Sequence, residues 1–236
     1  MLPIFAGLLN APKEEVVQRI VKSIQGNSRE SFIALHISAI LNRDNPAYLK
    51  SLEGSHCYVD GIAAVLLARR VGFNCIERTA TTDITLEVLS LARVKLGRSL
   101  KIGLIGGSRD LVNRTKVRLE TNEDVQVLYA LPGFRNEWLM HEEELIGAKV
   151  DLVFIGMGVP LESIFLMDNA NRMEYAVALT CGGLFKFLVG DEKRAPKFLQ
   201  NYGFEWAWRF MQDPFRLFPR YFKGAFSFLK LYVAKS

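Results

Sequence analysis

Cysteine is scarce: Cys57, Cys75 and Cys181 are the three in 236 residues, an odd count at unrelated spacings. With no CxxC pair and no zinc-ligand pattern, a disulfide framework is excluded and free thiols in a reducing compartment are expected. No uninterrupted apolar run approaches the roughly 20 residues that cross a bilayer. The apolar start, Leu2 to Leu9, lacks a basic stretch before it and breaks at Pro12, so it reads as a first strand and not as a signal peptide. No Asp-x-Asp pair occurs, which leaves a metal held by two neighbouring acids without a seat. The run from Gly103 through Gly106-Gly107-Ser108-Arg109 has no P-loop lysine, and Gly156-Met157-Gly158 has no third glycine at the dinucleotide spacing, which argues against a nicotinamide dehydrogenase. His141-Glu142-Glu143-Glu144-Leu145 lacks the second histidine of a zinc HExxH and reads as part of a solvated helix. Low-complexity tracts and internal repeats are also absent.

What is present is unevenly distributed. Residues 194–236 hold 13 of the 26 aromatic residues and 8 Lys or Arg against two acids, Glu205 and Asp213. That segment has a net charge of +6, whereas residues 1–193 carry −1. Arg209, Arg216, Arg220, Lys223 and Lys230 are interleaved with Trp206, Trp208, Phe210, Phe215, Phe218, Tyr221, Phe222 and Phe226. Rings at a headgroup interface beside bases that meet anionic lipid describe a membrane-surface segment, peripheral and on the cytoplasmic side. Core packing with snorkelling cationic heads is the bland alternative. Nucleic acid ranks below both, because no nucleic-acid-binding motif accompanies the patch.

The body alternates strand and helix patterns. Residues 2–10, 31–36 and 56–59 read as strands, 12–24 as an amphipathic helix with Val16, Val17, Ile20, Val21 and Ile24 on one face, and 62–71 as a buried helix. Residues 38–52 read as one helix, with Pro46 at odds with its middle. Further strands fall at 100–105, 125–131, 151–155 and 176–180, and helices at 110–120, 136–146 and from about Pro160. This is the pattern of an α/β fold: a mainly parallel, Rossmann-like sheet with helices on both faces. Residues 1–193 form that domain. Residues 194–236, punctuated by Pro196, Pro214 and Pro219, form an appendage of three short helices.

Four turns follow strands: Asp60-Gly61, Gly106-Gly107-Ser108, Gly156-Met157-Gly158 and Gly182-Gly183. In a parallel sheet they share the edge where ligands sit. Glycine-exposed amides bind phosphate oxygens, and although any one turn needs no ligand to explain it, together the four point to a phosphate-bearing one. Asp60, at a strand's carboxyl end, is placed either to act as a general base or to cap the following helix. Arg78 lies in a polar loop before a helix, where it either clamps a diphosphate or pairs with Asp83.

Taken in order, these blocks resemble the WecG/TagA/CpsF family of bacterial glycosyltransferases, the teichoic-acid and enterobacterial-common-antigen type. The resemblance covers nearly the whole chain. It rests on Asp60-Gly61, the Glu77-Arg78 to Asp83 loop, Leu104-Ile105-Gly106-Gly107 and the run from Asp151 through Gly156, Gly158 and Pro160. The tail adds Lys193-Arg194-Ala195-Pro196-Lys197-Phe198-Leu199-Gln200, Glu205-Trp206 and Asp213-Pro214-Phe215-Arg216-Leu217. The resemblance implies an inverting, metal-independent and cofactor-free transfer from a UDP-sugar to a polyprenyl-diphosphate-linked saccharide in cell-envelope polysaccharide synthesis. N-acetylmannosamine, its uronic acid and glucose are the donor sugars it admits. It places the protein on the cytoplasmic face of the bacterial inner membrane. It makes Asp60 the base, aided by Arg78, with Arg209, Arg216 and Arg220 brought to the acceptor diphosphate by a membrane-binding appendage. His36, Gly61, Gly106, Gly107, Ser108, Gly156, Gly158, Pro160, Glu162, Gly182, Gly183 and Arg194 fall to substrate binding. The oligomeric state, a homo-oligomer included, is left open.

Three departures stand out. Ala34-Leu35-His36-Ile37-Ser38 replaces Thr-Leu-Asn-Ala-Glu, Glu162 stands where the family has a glutamine, and Lys186 stands where an aspartate is common. They imply an unusual donor or acceptor, or impaired activity. The alternative function is therefore a non-turning-over member that binds lipid-linked saccharide or scaffolds an assembly complex.

Overall fold

The computed structural model describes residues 2–123, 125–134, 143, 145, 147–202 and 204–233, with the side chains of 122, 200, 201, 216 and 220 outside the description. The strands are β1 (Glu30–Leu35), β2 (His56–Val59), β3 (Leu100–Gly106), β4 (Val125–Leu131), β5 (Lys149–Gly156) and β6 (Glu174–Thr180). They form one six-stranded sheet in the order β2-β1-β6-β5-β3-β4, and every pairing is parallel. Near-continuous apolar runs suit strands covered on both faces.

The helices are α1 (Lys13–Gly26), α2 (Ile37–Leu41), α3 (Pro46–Leu52), α4 (Ile62–Arg70), α5 (Thr81–Leu96), α6 (Arg109–Asn122), α7 (Leu161–Asn169), α8 (Leu184–Leu188), α9 (Lys197–Asn201), α10 (Glu205–Gln212) and α11 (Pro214–Val233). Strand residues alternate between the two cores. Phe32, Ala34, Phe154 and Val177 pack with α1, α5, α6 and α8 on one face. On the other, Ile33, Leu35 and Val59 pack with α2, α3 and α4, and Val153, Ile155 and Ala178 with α7.

Three readings of the sequence need correction. Residues 2–10 are not a strand: Pro3–Phe5 is a single 3-10 turn, and Leu8 alone bridges to Cys57. Residues 38–52 split into α2 and α3, because Pro46 opens a new helix behind Asn45, whose side chain accepts from the Ala47 and Tyr48 amides. The tail's last helix is long. α11 runs for 20 residues with Pro219 inside it, so proline removes one donor there without ending the helix. The helix expected over 136–146 lies largely outside the described residues.

α11 has two apolar faces. Leu217 and Gly224 are buried, and Phe228 and Leu231 pack on the core beneath α2 and α4. Arg43 donates to Ser227 Oγ at 2.8 Å, and the Arg70 guanidinium lies 5.2 Å from the centre of the Tyr232 ring. The opposite side carries Phe215, Phe218, Phe222, Phe226, Leu229 and Val233, all exposed, with Phe215 reaching 93%. Gly224 permits the close approach of α11 to α2, since a β-carbon there would strike the Ile37 side chain. Gly224→Leu is therefore expected to cost roughly 1–3 kcal/mol despite leucine's better helix propensity. Ala225→Leu, on the exposed side, is expected to be neutral. Thermal melts of the two variants check this.

Candidate active site

The carboxyl ends of the strands gather the sequence-predicted groups along one edge. Gly106 lies beside Gly156 in the register of β3 and β5. A β-carbon on Gly106 would collide with the Gly156 backbone, and one on Gly156 would come within 2.9 Å of the Gly182 carbonyl oxygen. Backbone packed this closely requires glycine. Gly133, at the end of β4, extends the row: its amide donates to the Gly107 carbonyl at 2.9 Å. Ser108 caps α6, its Oγ accepting from the Leu111 amide at 3.2 Å. Pro160 and Gly183 lead into α7 and α8.

Asp60 follows β2 at the same edge, its amide held by the Leu35 carbonyl. Its carboxylate does not cap α4, the helix directly after it, whose N-cap Gly61 has no side-chain bond. Asp60 Oδ2 instead accepts from the Thr81 amide at 3.2 Å and from Thr81 Oγ1 at 2.9 Å, at the start of α5. Thr81 Oγ1 also bonds the buried Tyr58 hydroxyl at 2.8 Å. Aspartate is thus fixed in direction by a helix N-terminus and a buried hydroxyl chain. His36 neighbours it: its Cβ would lie 3.3 Å from a β-carbon on Gly61. Its Nδ1 accepts from the Ser38 amide, which makes it the N-cap of α2.

The tail reaches this edge. Glu205, in α10, is buried and gathers three guanidinium groups. Arg78 donates to Oε2 at 2.8 Å, Arg209 donates to Oε1 at 2.8 Å, and Arg194 stands 3.9 Å from Oε2. Arg194 also pairs with Asp83 at 2.6 Å and donates to Thr82 Oγ1, and Arg78 lies 3.7 Å from Asp83. Burial works to raise the Glu205 pKa, yet Arg209, Arg78 and Arg194 together hold it below the usual carboxylate range. Arg209 is the link to Asp60. Burial opposes its charge, but the fields of Glu205 and Asp60 outweigh that and raise its pKa. Its guanidinium also sits 4.8 Å from the centre of the Phe187 ring.

Glu205→Gln leaves three guanidiniums with one fewer counter-charge and is expected to cost roughly 2–3 kcal/mol at neutral pH. Because the folded-state pKa is depressed, that contribution is present at neutral pH and is lost as pH falls through and below the ordinary carboxylate range. Urea denaturation of both proteins at pH 7 and in acid measures it.

Glu162, at the start of α7, is buried, and its Oε2 accepts from the Gly158 and Gly182 amides at 3.0 Å each. Lys186 pairs with Glu192 at 3.3 Å. Ala34 is buried in β1, and its amide donates to Thr180 Oγ1. Arg216 and Arg220 lie along α11, with side chains outside the described residues. Among the described residues no three His, Cys, Asp or Glu side chains group as a metal site.

Sequence reasoning missed Glu205 as the hub, Thr81 as the aspartate's anchor and Gly133 as part of the glycine row. Glu205 had a signal: it is one of two acids in a segment of net charge +6. An isolated acid among bases is a natural counter-ion.

A parallel α/β sheet with an aspartate, clustered arginines and stacked glycine turns at the carboxyl ends of its strands has its candidate ligand site at that edge. Comparison with known proteins makes this specific. The sequence profile described as the glycosyl transferase WecG/TagA/CpsF family matches residues 6–236, and the chain belongs to that family of glycosyltransferases. A relative from Bacillus subtilis (strain 168), an N-acetylglucosaminyldiphosphoundecaprenol N-acetyl-beta-D-mannosaminyltransferase, is 26% identical over 181 residues, covering 76% of this chain and 68% of the relative.

Proposed function

We propose that this glycosyltransferase moves a sugar of the N-acetylmannosamine type from a UDP-sugar to a polyprenyl-diphosphate-linked saccharide. It does so at the cytoplasmic membrane face, with inversion at the anomeric carbon. The acceptor hydroxyl attacks that carbon while Asp60 takes its proton. The leaving nucleoside diphosphate gathers negative charge, which the amides of the glycine turns, Arg78 and the tail arginines offset. The observation that carries the reading is the meeting of body and tail at Glu205: Arg78 from one and Arg194 and Arg209 from the other lie around it, with Arg209 in the field of Asp60. In this reading residues 1–193 supply the base and the donor site, and residues 194–236 supply cations and membrane contact. The exposed stripe of α11 faces the lipid. No helix among the described residues is long and apolar enough to cross a membrane.

The test is mass spectrometry of lipid-linked products after supplying UDP-N-acetylmannosamine, its uronic acid and UDP-glucose in turn. A new mass of N-acetylhexosamine or its uronic acid on the acceptor supports the proposal, and a hexose mass from UDP-glucose alone would move the donor away from N-acetylmannosamine. Binding of lipid-linked saccharide without turnover of any donor favours the scaffold reading, which Ala34 and Glu162 motivate.

A further inference from the structure

Among the described residues, Glu162 is the buried acid whose arrangement the reaction above leaves unused. Oε2 takes both the Gly158 and the Gly182 amides, so one carboxyl oxygen ties the turn after β5 to the turn after β6. Oε1 is buried and has no hydrogen-bond partner among the described residues. No cation faces the group among those that act on it. Tyr48 faces it from α3, Tyr58 and Asp60 from β2 and its end, and Cys181 from the end of β6. A carboxylate placed so would bury an unpaired charge beside a second acid, and a carboxylic acid would not.

We propose that Glu162 is a positioning residue that works as the neutral acid. The protonated carboxyl pins the two glycine turns without adding a second negative charge beside Asp60. Its ionisation places a second anion where the diphosphate and the base must sit. The reaction then fails on the alkaline side through loss of the proton on Glu162.

The electrostatics run the same way. Burial pushes Glu162 up to about 7 against the pull of the Gly158 and Gly182 amides, the charge of Asp60 adds to the rise, and the Met157 amide opposes it. A folded-state pKa raised this far gives stability that is complete below the ordinary carboxylate range and is lost as pH climbs through about 7.

Two measurements decide the proposal. In the whole wild-type chain with glycine-selective 15N labelling, the Gly158 and Gly182 amide shifts are followed from pH 5 to pH 9. Both are expected to move together through a single inflection near 7, and flat traces would overturn the proposal. The second measurement rests on the transferase reading: the pH profile of sugar transfer by wild type and Glu162→Gln. Glutamine keeps an oxygen for the two amides and cannot ionise. The variant is expected to lack the alkaline fall of the wild type, so that the ratio of its rate to the wild-type rate rises about 30-fold between pH 5.5 and pH 8.5. Superimposable profiles would overturn the role. If no donor is turned over at all, the transferase reading fails while the amide titration still tests the proton on Glu162.

Discussion

Asp60→Asn is expected to lower sugar transfer by roughly 100- to 10,000-fold, the range that a general base contributes, and to leave donor binding intact. The geometry explains why the two separate. Asn retains one side-chain oxygen, which can accept from both the Thr81 amide and Thr81 Oγ1 as Asp60 Oδ2 does, so the hydrogen bonds that aim the side chain survive. What it loses is the capacity to take the acceptor's proton. It also removes a negative charge from the surroundings of Arg209, which can only favour an incoming diphosphate. Initial rates with a lipid-linked acceptor, beside calorimetric titration of the UDP-sugar, separate chemistry from binding. Turnover retained by this variant would move the base elsewhere.

The second large effect concerns the membrane. Replacing Phe218, Phe222 and Phe226 together by serine is expected to weaken binding to anionic vesicles by at least about 100-fold, since each buried phenyl ring contributes roughly 1.5–3 kcal/mol. The fold should hold, because those rings are exposed on the side of α11 away from the core. Deleting residues 194–236 is a poorer test. It would uncover the core that Phe228 and Leu231 cover, and it would remove Glu205 from Arg78. Wild-type binding is expected to fall with salt, as attraction between Lys223, Lys230 and anionic lipid is screened. Co-sedimentation with vesicles of graded anionic content measures both effects, and unchanged binding by the triple variant would remove the stripe from the account.

Much of this was legible in the chain. Apolar runs bounded by glycine located β1 to β6, and their alternation with helices dictated a parallel sheet. The parallel sheet in turn placed Asp60 and the glycine turns on one edge. What stayed hidden depends on long-range packing. Thr81 lies 21 positions from Asp60, and Glu205 lies 127 from Arg78, and no local pattern joins residues so far apart. By composition the tail reads as either lipid-facing or core-packed, whereas α11 has one apolar face packed on the core and another that is exposed. Leu217, Tyr221, Gly224, Phe228 and Leu231 recur on one side at helical spacing, and Phe215, Phe218, Phe222, Phe226, Leu229 and Val233 on the other. Composition counts both sets as one aromatic tail, whereas the 3.6-residue period separates them.

The central claim is that body and tail form one site that works against lipid. Its most direct test compares transfer onto a lipid-linked acceptor in anionic vesicles with transfer onto a short-chain, water-soluble analogue, for wild type and for the Phe218/Phe222/Phe226 serine variant. Wild type should be much faster on vesicles and lose that advantage in high salt. The variant should match wild type on the soluble analogue and fail on vesicles. Equal vesicle rates for the two proteins would contradict the account.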